Sequence, residues 1–338
     1  MPSRDVSPGG AGARPGAGGP HRRAILLMGP TGAGKSDIAL RLAECLPVEI
    51  VSVDSALVYR GMDIGTAKPT AAMRARVPHH LIDVRDPAQP FSAGEFTREA
   101  LAAMEGIWRR GRYPLLTGGT MLYFHALTHG IASLPEADLE VRAALDARAA
   151  AVGWAALHGE LERIDPAAAA RIHVNDPQRI QRALEVFELT GRSITSLQQL
   201  PESVLGDADI WEFAICPLER RELHSKIELR FDSMLQAGLV AEVRTLMQRG
   251  DLTAEHPSMR AVGYRQVWQH LTGQSTLIQA RDQALAATRQ LAKRQLTWLR
   301  RRERAQWLDS LHPDCARAIA HVLHEAGFAA VTPREAVC

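Results

Sequence analysis

Residues 24–28 are uniformly apolar, run straight into a glycine-rich segment, and are followed over residues 37–46 by apolar Ile38, Leu42 and Leu46 at helical spacing. A continuous apolar run, a break and then a 3.6-residue period predict a buried strand, a loop and a helix. Two further buried strands are predicted at residues 49–53, ending at Asp54, and 113–117, ending at Gly118-Gly119-Thr120. From 131 to 205 the pattern changes to short helices rich in Ala, Arg and Glu. Residues 211–215 again read as a strand, followed by helices over 219–237, 239–249 and 277–302.

Strands alternating with helices predict an α/β fold in which a parallel sheet is flanked by helices and ligands sit at the carboxyl ends of the strands. The expected organisation is a phosphate-loop core in two parts, residues 23–130 and 211–310, interrupted by an all-helical insertion over 131–210. Residues 1–22, rich in Gly, Pro, Ala and Ser, are expected to be a disordered tail, and 311–338 a C-terminal tail without a motif. No stretch of about 18 apolar residues occurs, so no membrane helix is expected.

Gly29-Pro30-Thr31-Gly32-Ala33-Gly34-Lys35-Ser36 fits the pattern G-x-x-x-x-G-K-[ST]. Its glycines let backbone N–H groups converge on phosphate oxygens at a helix N-terminus, its lysine neutralises an outer phosphate, and its hydroxyl can ligate Mg²⁺. The loop does not say whether the ligand is a nucleotide or another pyrophosphate. A phosphate-loop ATPase also carries an apolar strand ending in a magnesium-binding Asp. Leu81-Ile82-Asp83 is the nearest candidate and is short.

The chain has 338 residues, 46% hydrophobic and 23% charged, with a formal charge of +2. That near-neutral balance means that any nucleic-acid partner is held by local patches. The clearest patch is residues 289–304, where seven Lys and Arg stand against Glu303 alone. On one helix Arg289, Lys293, Thr297, Arg300 and Arg304 form a basic stripe beside an apolar one of Leu285, Ala292, Leu296 and Leu299. The four cysteines lie far apart with no C-x-x-C pair, which argues against a zinc site or disulfide framework and fits a reducing cytoplasm. The adjacent His79 and His80 lack metal-ligand spacing and read as structural. With aromatics at 5%, broad stacking on single-stranded RNA is not expected.

Several segments together resemble the tRNA dimethylallyltransferase family: the phosphate loop, residues 53–69 (VDSALVYRGMDIGTAKP), 79–83 (HHLID), 118–123 (GGTMLY), 175–182 (NDPQRIQR), 260–265 (RAVGYR) and 290–300 (QLAKRQLTWLR). They occur in the family's order across residues 24–308. Bacterial members often have Ser in place of Ala33 and Thr in place of Ser36, and either hydroxyl serves a magnesium ion. Larger members of the family carry a C-terminal zinc finger, and without the cysteines for one the chain resembles the shorter bacterial type.

The resemblance implies transfer of a dimethylallyl group from dimethylallyl pyrophosphate to N6 of the adenosine 3′ of the anticodon, position 37, with Mg²⁺ as cofactor and the tRNA anticodon stem-loop as partner. It implies that Lys35 and Arg230 meet the pyrophosphate, that Asp54 is the general base, and that Thr120 acts near the reacting base. Asp54, Ser55, Ala56 and Leu57 would line the path of that base. Further tRNA contacts implied are Arg142, Gln178, Arg179, Ile180, Gln181, Arg182, Arg260, Arg265, Lys293 and Arg300. A cytoplasmic monomer is expected. The rival readings are a phosphate-loop small-molecule or nucleoside kinase, which would turn over ATP, and an RNA-binding protein with a nucleotide switch, which would leave tRNA mass unchanged.

Overall fold

A computed structural model describes residues 22–130, 132, 134–197 and 204–331. The expected N-terminal tail, but for Arg22, lies outside the described residues.

Six strands form one all-parallel sheet in the order β3-β2-β4-β1-β5-β6. They are β1 (Arg23–Met28), β2 (Val48–Val53), β3 (His79–His80), β4 (Tyr113–Gly118), β5 (Asp209–Cys216) and β6 (Gln306–Asp309). The central strands are apolar on both sides because both faces are covered, as parallel sheets require. The residues alternate as the pleat dictates. Ile25 and Leu27 face one layer with Leu115 and Ile50, and Leu26 and Met28 face the other with Leu116 and Val51.

One layer is α1 (Lys35–Cys45) with α14 (Cys315–Glu325). The segment expected as a featureless C-terminal tail is therefore partly a core helix. Cys315, Ala316, Ile319, Ala320 and Leu323 repeat at helical spacing and are buried against the sheet. Ile319 and Leu323 are fully buried, which contributes roughly 1.5–3 kcal/mol each. The opposite layer contains α3 (Ala93–Arg109), started by a Ser92–Glu95 capping box, and α4 (Met121–His129). The short α2 (Ala71–Arg76) precedes β3. There His80 bonds Glu49 at 2.7 Å and His79 bonds the Val77 carbonyl at 2.7 Å, so the histidine pair is structural, as expected.

A third cluster packs α10 (Arg220–Gln236), α11 (Leu239–Gln248), α12 (Tyr264–Leu271) and α13 (Leu277–Leu299) beside the carboxyl edge of the sheet. Because α13 stops at Leu299, Arg304 lies beyond it and does not continue the predicted basic stripe. Arg302 also leaves the patch, forming a largely buried bidentate pair with Glu212 of β5.

Between α4 and β5 the regular elements among the described residues are helices: α5 (Leu139–Val152), α6 (Trp154–Ile164), α7 (Pro166–Arg171), α8 (Pro177–Thr190) and α9 (Ile194–Leu197). They enclose a core of their own around Leu145, Leu157, Leu161, Ile180 and Leu184. Asp176 caps α8 and Gly191 ends it in the left-handed conformation, φ 67°, as local capping rules require. Glu185 on the same helix is fully buried. Burial opposes its charge, but the guanidinium groups of Arg142 and Arg182 and the Asp138 N–H outweigh this and hold its carboxyl below the usual range. That stability is present above the unfolded-state value of about 4.5 and is lost as pH falls through the lowered one. Glu185→Ala is expected to destabilise the protein by about 3–5 kcal/mol, since it strands two guanidinium groups against the insertion core. Urea unfolding at neutral pH measures this, and a loss below about 1 kcal/mol would show that the cluster is solvated.

Candidate active site

The phosphate loop spans the gap between β1 and α1. Gly32 and Gly34 have φ of 81° and 88°, a region that residues with a Cβ avoid. A side chain at Gly29 would place its Cβ 2.5 Å from the Ile215 carbonyl oxygen, so the loop can lie close to β5 only with glycine there. Gly34 begins α1 without a side-chain cap, which leaves the positive end of the helix facing the cavity. Lys35 folds back to donate to the carbonyls of Gly29 and Pro30 at 2.9 and 2.8 Å. Burial pulls its ammonium from 10.5 to about 8; Arg230 adds repulsion and Asp54 opposes the shift.

Two cavities, of about 460 and 540 Å³, open on this edge of the sheet. The first runs over Gly32, Gly34, Lys35 and Ser36 and continues between apolar Leu40, Ile50, Leu57 and Ile82. The second is bordered by Ser55, Ala56, Thr120, Arg260 and Arg294. Thr31, Asp54, Thr66, Gly119, Arg230 and Gln295 line both, so the two spaces meet around Asp54 and Arg230.

Asp54 follows β2, and its Oδ1 accepts from the N–H groups of Ala56 and Leu57 at 2.8 and 3.4 Å, an Asx turn that fixes the carboxylate. Among the described residues its Oδ2 has no hydrogen-bond partner. Thr120 Oγ1 accepts from the Ser55 N–H at 3.0 Å, and the Thr120 N–H donates to the Val53 carbonyl at 3.2 Å. Thr120 therefore joins the ends of β2 and β4 rather than capping α4. Arg230 donates to the Thr66 carbonyl at 3.2 Å, and burial lowers its pKa against the pull of Asp54.

Two residues that hold this arrangement were not singled out in the sequence. Gln295 of α13 accepts from the Thr31 N–H at 2.9 Å and donates to the Gly119 carbonyl at 2.8 Å, tying the phosphate loop to the turn before Thr120. Glu242 of α11 accepts from three successive backbone N–H groups, Asp63, Ile64 and Gly65, at 2.9, 2.8 and 3.1 Å, and from the Tyr264 hydroxyl. It thereby fixes the loop whose Thr66 carbonyl receives Arg230. Both contacts span more than 170 residues or join separate helices, so local spacing could not reveal them.

The expected tRNA-contact residues divide into three groups. Asp54, Ser55, Ala56, Thr120 and Arg260 line the second cavity, and Leu57 lines the first. Lys293, Arg300 and Arg265 are exposed on the outer surface of the helical cluster. Arg142, Gln178, Arg179, Ile180, Gln181 and Arg182 lie on the insertion, away from both cavities. Ile180 is fully buried and cannot touch a ligand without unfolding α8, which corrects its assignment. Arg142 and Arg182 are held by Glu185, and Gln181 bonds Asp146 at 2.7 Å. Gln178 and Arg179 are exposed.

Leu81-Ile82-Asp83 does not supply an ATPase-type carboxylate. Leu81 and Asp83 have positive φ, 62° and 58°, and the Asp83 carboxylate is taken up by Lys68 and Arg74.

An all-parallel sheet carrying a glycine-rich phosphate loop at its carboxyl edge defines an α/β protein of the phosphate-loop class. The comparisons narrow the class. The model of the IPP transferase family matches residues 57–302, most of the chain, so the chain belongs to the IPP transferase family and is a transferase. It is similar to the full-length tRNA isopentenylpyrophosphate transferase of Bacillus halodurans, with 36% identity and a TM-score of 0.66, covering 90% of this chain and 96% of that one. A tRNA delta(2)-isopentenylpyrophosphate transferase of Staphylococcus epidermidis matches with 31% identity and a TM-score of 0.64, covering 90% and 98%. A eukaryotic dimethylallyltransferase described as acting on tRNA matches with 25% identity and a TM-score of 0.74, covering 93% and 82%.

The Lys35 environment generates a prediction. An anionic ligand on the loop needs the ammonium charged, so affinity for a pyrophosphate ester should be flat up to about pH 8 and then fall by up to tenfold per pH unit. Lys35→Arg should abolish that fall, because a guanidinium stays charged throughout. Calorimetric titration with dimethylallyl pyrophosphate between pH 7 and 10 checks both, and a flat profile for the unmodified protein would remove Lys35 from anion binding.

Proposed function

We propose that the enzyme transfers the dimethylallyl group of dimethylallyl pyrophosphate to N6 of the adenosine 3′ of the anticodon, position 37, in tRNA. The observation that carries this reading is the meeting of the two cavities at Asp54 and Arg230. One side offers the phosphate loop, and the other offers a recess bordered by Ser55, Ala56 and Thr120. A donor with a charged head and an apolar tail suits the first, and a planar base withdrawn from its stack suits the second.

In the reaction the allylic C–O bond to pyrophosphate breaks and a C–N6 bond forms, so negative charge grows on the leaving oxygens. Lys35 and Arg230, partly desolvated and fixed before the substrate arrives, are placed to stabilise that charge. The amine must lose a proton as it alkylates, and the Oδ2 of Asp54 is the open carboxylate oxygen at the junction. Thr120 and the Asx turn keep that carboxylate and the Ser55 backbone fixed, and Gln295 keeps the loop and the Gly119 turn in register. Ser55, Ala56 and Arg260 would guide the base inward.

Mg²⁺ fits the donor set. Among the described residues no three His, Cys, Asp or Glu form a metal cage, but Ser36 is exposed at the loop. The hydroxyls of Ser52 and Thr117, opposed on β2 and β4 at the same cavity, have no protein partner and suit a hydrated ion. Ser36 would hold the ion, which would neutralise part of the charge on the leaving pyrophosphate. A kinase reading is disfavoured because β4, next to β1, ends in Thr117-Gly118-Gly119 where such enzymes place an acid.

For tRNA, we assign phosphate contact to Lys293, Arg300 and Arg265 on the helical cluster and to Gln178, Arg179, Arg142 and Arg182 on the insertion. Arg289 is assigned a smaller part, since it is half-buried beside Glu228 at 3.4 Å.

Asp54→Asn should lower turnover by about 10²–10⁴-fold while tRNA affinity persists, because Asn keeps the Oδ1 acceptor of the turn and removes the base. Mass spectrometry of tRNA nucleosides after incubation with donor and Mg²⁺ reads the product. Undiminished turnover in the variant would strike Asp54 from the mechanism, and no mass gain with the unmodified protein would strike the reading itself. Separately, Lys293→Ala and Arg300→Ala should each flatten the dependence of log tRNA affinity on log salt by about 0.7–0.9 unit. Unchanged slopes in both would show that the basic surface is only solvated.

A further inference from the structure

The second cavity opens beside an aromatic and apolar surface that the reaction does not use. Trp298, in the last turn of α13, is 40% exposed, and Leu122, in the first turn of α4, is 49% exposed; both border that cavity. The indole is held by His125, whose ring meets it edge-on at 6.0 Å and 70°, and His125 stacks in turn on His129 at 4.6 Å and 18°. Burial, His129 and Arg302 lower the His125 pKa, so at neutral pH this support is uncharged. Around it Lys293, Arg294, Arg300 and Arg301 are exposed and have no ion pair among the described residues.

We propose that Trp298, backed by Leu122 and His125, is a stacking platform for the loop nucleotide next to the target adenine. The proposal rests on the tRNA reading above. Withdrawing one base from a stacked loop leaves its neighbours with a bare face in water, and the neighbour covalently joined to the target must stay at the mouth of the cavity. An indole fixed there covers that face, and the four unpaired cations meet the adjoining phosphates. The charge pattern singles out this occupant over an apolar protein surface, since those cations stand ready for a polyanion. Stacking of this kind recognises any base by its π-face, so the platform adds affinity and holds the loop open without reading sequence.

The test uses the full chain and a short RNA hairpin carrying the target adenine in its loop, with 2-aminopurine placed in turn at each base flanking it. Prenylation of the unlabelled hairpin by the unmodified protein, read by mass, tests the tRNA reading on its own. Trp298→Ala is expected to weaken hairpin binding roughly 5- to 150-fold, the range for loss of one stacked base. Its salt slope should not change, because no cation is removed. Trp298→Phe, which keeps an aromatic face, should recover most of the affinity. The probe at one flanking position should be quenched by the unmodified protein and not by Trp298→Ala. Trp307→Ala serves as the control, since Trp307 is comparably exposed, at 46%, but lies on edge strand β6. Thermal melting and donor affinity confirm that each variant is folded. Hairpin affinity within about twofold of the unmodified protein in Trp298→Ala, or an equal loss in Trp307→Ala, would overturn the proposal, and the patch would then be a surface for something other than RNA.

Discussion

Two cations, Lys35 and Arg230, are held with one carboxylate, Asp54, at the junction of two cavities, and most of the surrounding structure serves to keep them there. Burial lowers the pKa of each, so both charges are held at a desolvation cost. A site that keeps two desolvated cations against one anion is short of negative charge. It favours an anion with several oxygens, and that electrostatic deficit is the driving force for binding pyrophosphate. The cost is offset by fixing every partner. Lys35 is tethered to loop carbonyls, Arg230 to Thr66, and Asp54 to its own turn.

The tethers in turn depend on helices outside the sheet. Glu242 of α11 occupies a concavity of three backbone N–H groups in the loop of residues 63–65, and Lys68, almost wholly buried, ties the same loop to Tyr59, Asp63 and Asp83. Gly65 has no room for a Cβ, which would lie 2.5 Å from the Tyr264 ring. These contacts fix the loop before any anion binds. The geometry at Arg230 is thus set by α11 and α12 as much as by the helix that bears it. The helical cluster therefore completes the catalytic edge that the sheet begins.

This division explains what could be read from the chain. The phosphate loop was legible from its glycine and lysine spacing, β1, β2 and β4 as largely apolar runs closed by Gly or Asp, and β5 from its apolar run before Pro217. Asp176 and Gly191 likewise bound α8 as local rules require. The short edge strands β3 and β6 were not legible, since two to four residues carry too little pattern. The α14 helix was missed although its apolar residues recur at helical spacing, because small Ala residues and interspersed His blur the contrast between its faces. Gln295 was hidden for a different reason. It is an ordinary polar residue on a basic helix until the fold brings Thr31 and Gly119 to its amide. Ile180 was named as a contact only because the resemblance covers the whole segment 178–182; its helical spacing with Leu184 already fits the insertion core to which it belongs.

Ile180 also bears on how a large RNA can be held by a protein with almost no net charge. The insertion keeps few free cations, because Arg142 and Arg182 are committed to Glu185 and Arg148 to Glu160 and Glu188. At and just beyond the end of α13 the opposite holds: among the described residues Lys293, Arg294, Arg300 and Arg301 have no ion pair, while Arg289 and Arg302 meet Glu228 and Glu212. Four cations without an ion pair among the described residues thus stand near the second cavity, with Trp298 in their midst. A polyanion drawn to that end of the helix arrives with its loop at the mouth of the cavity. The insertion can then contribute shape and a second point of contact without having to supply the attraction.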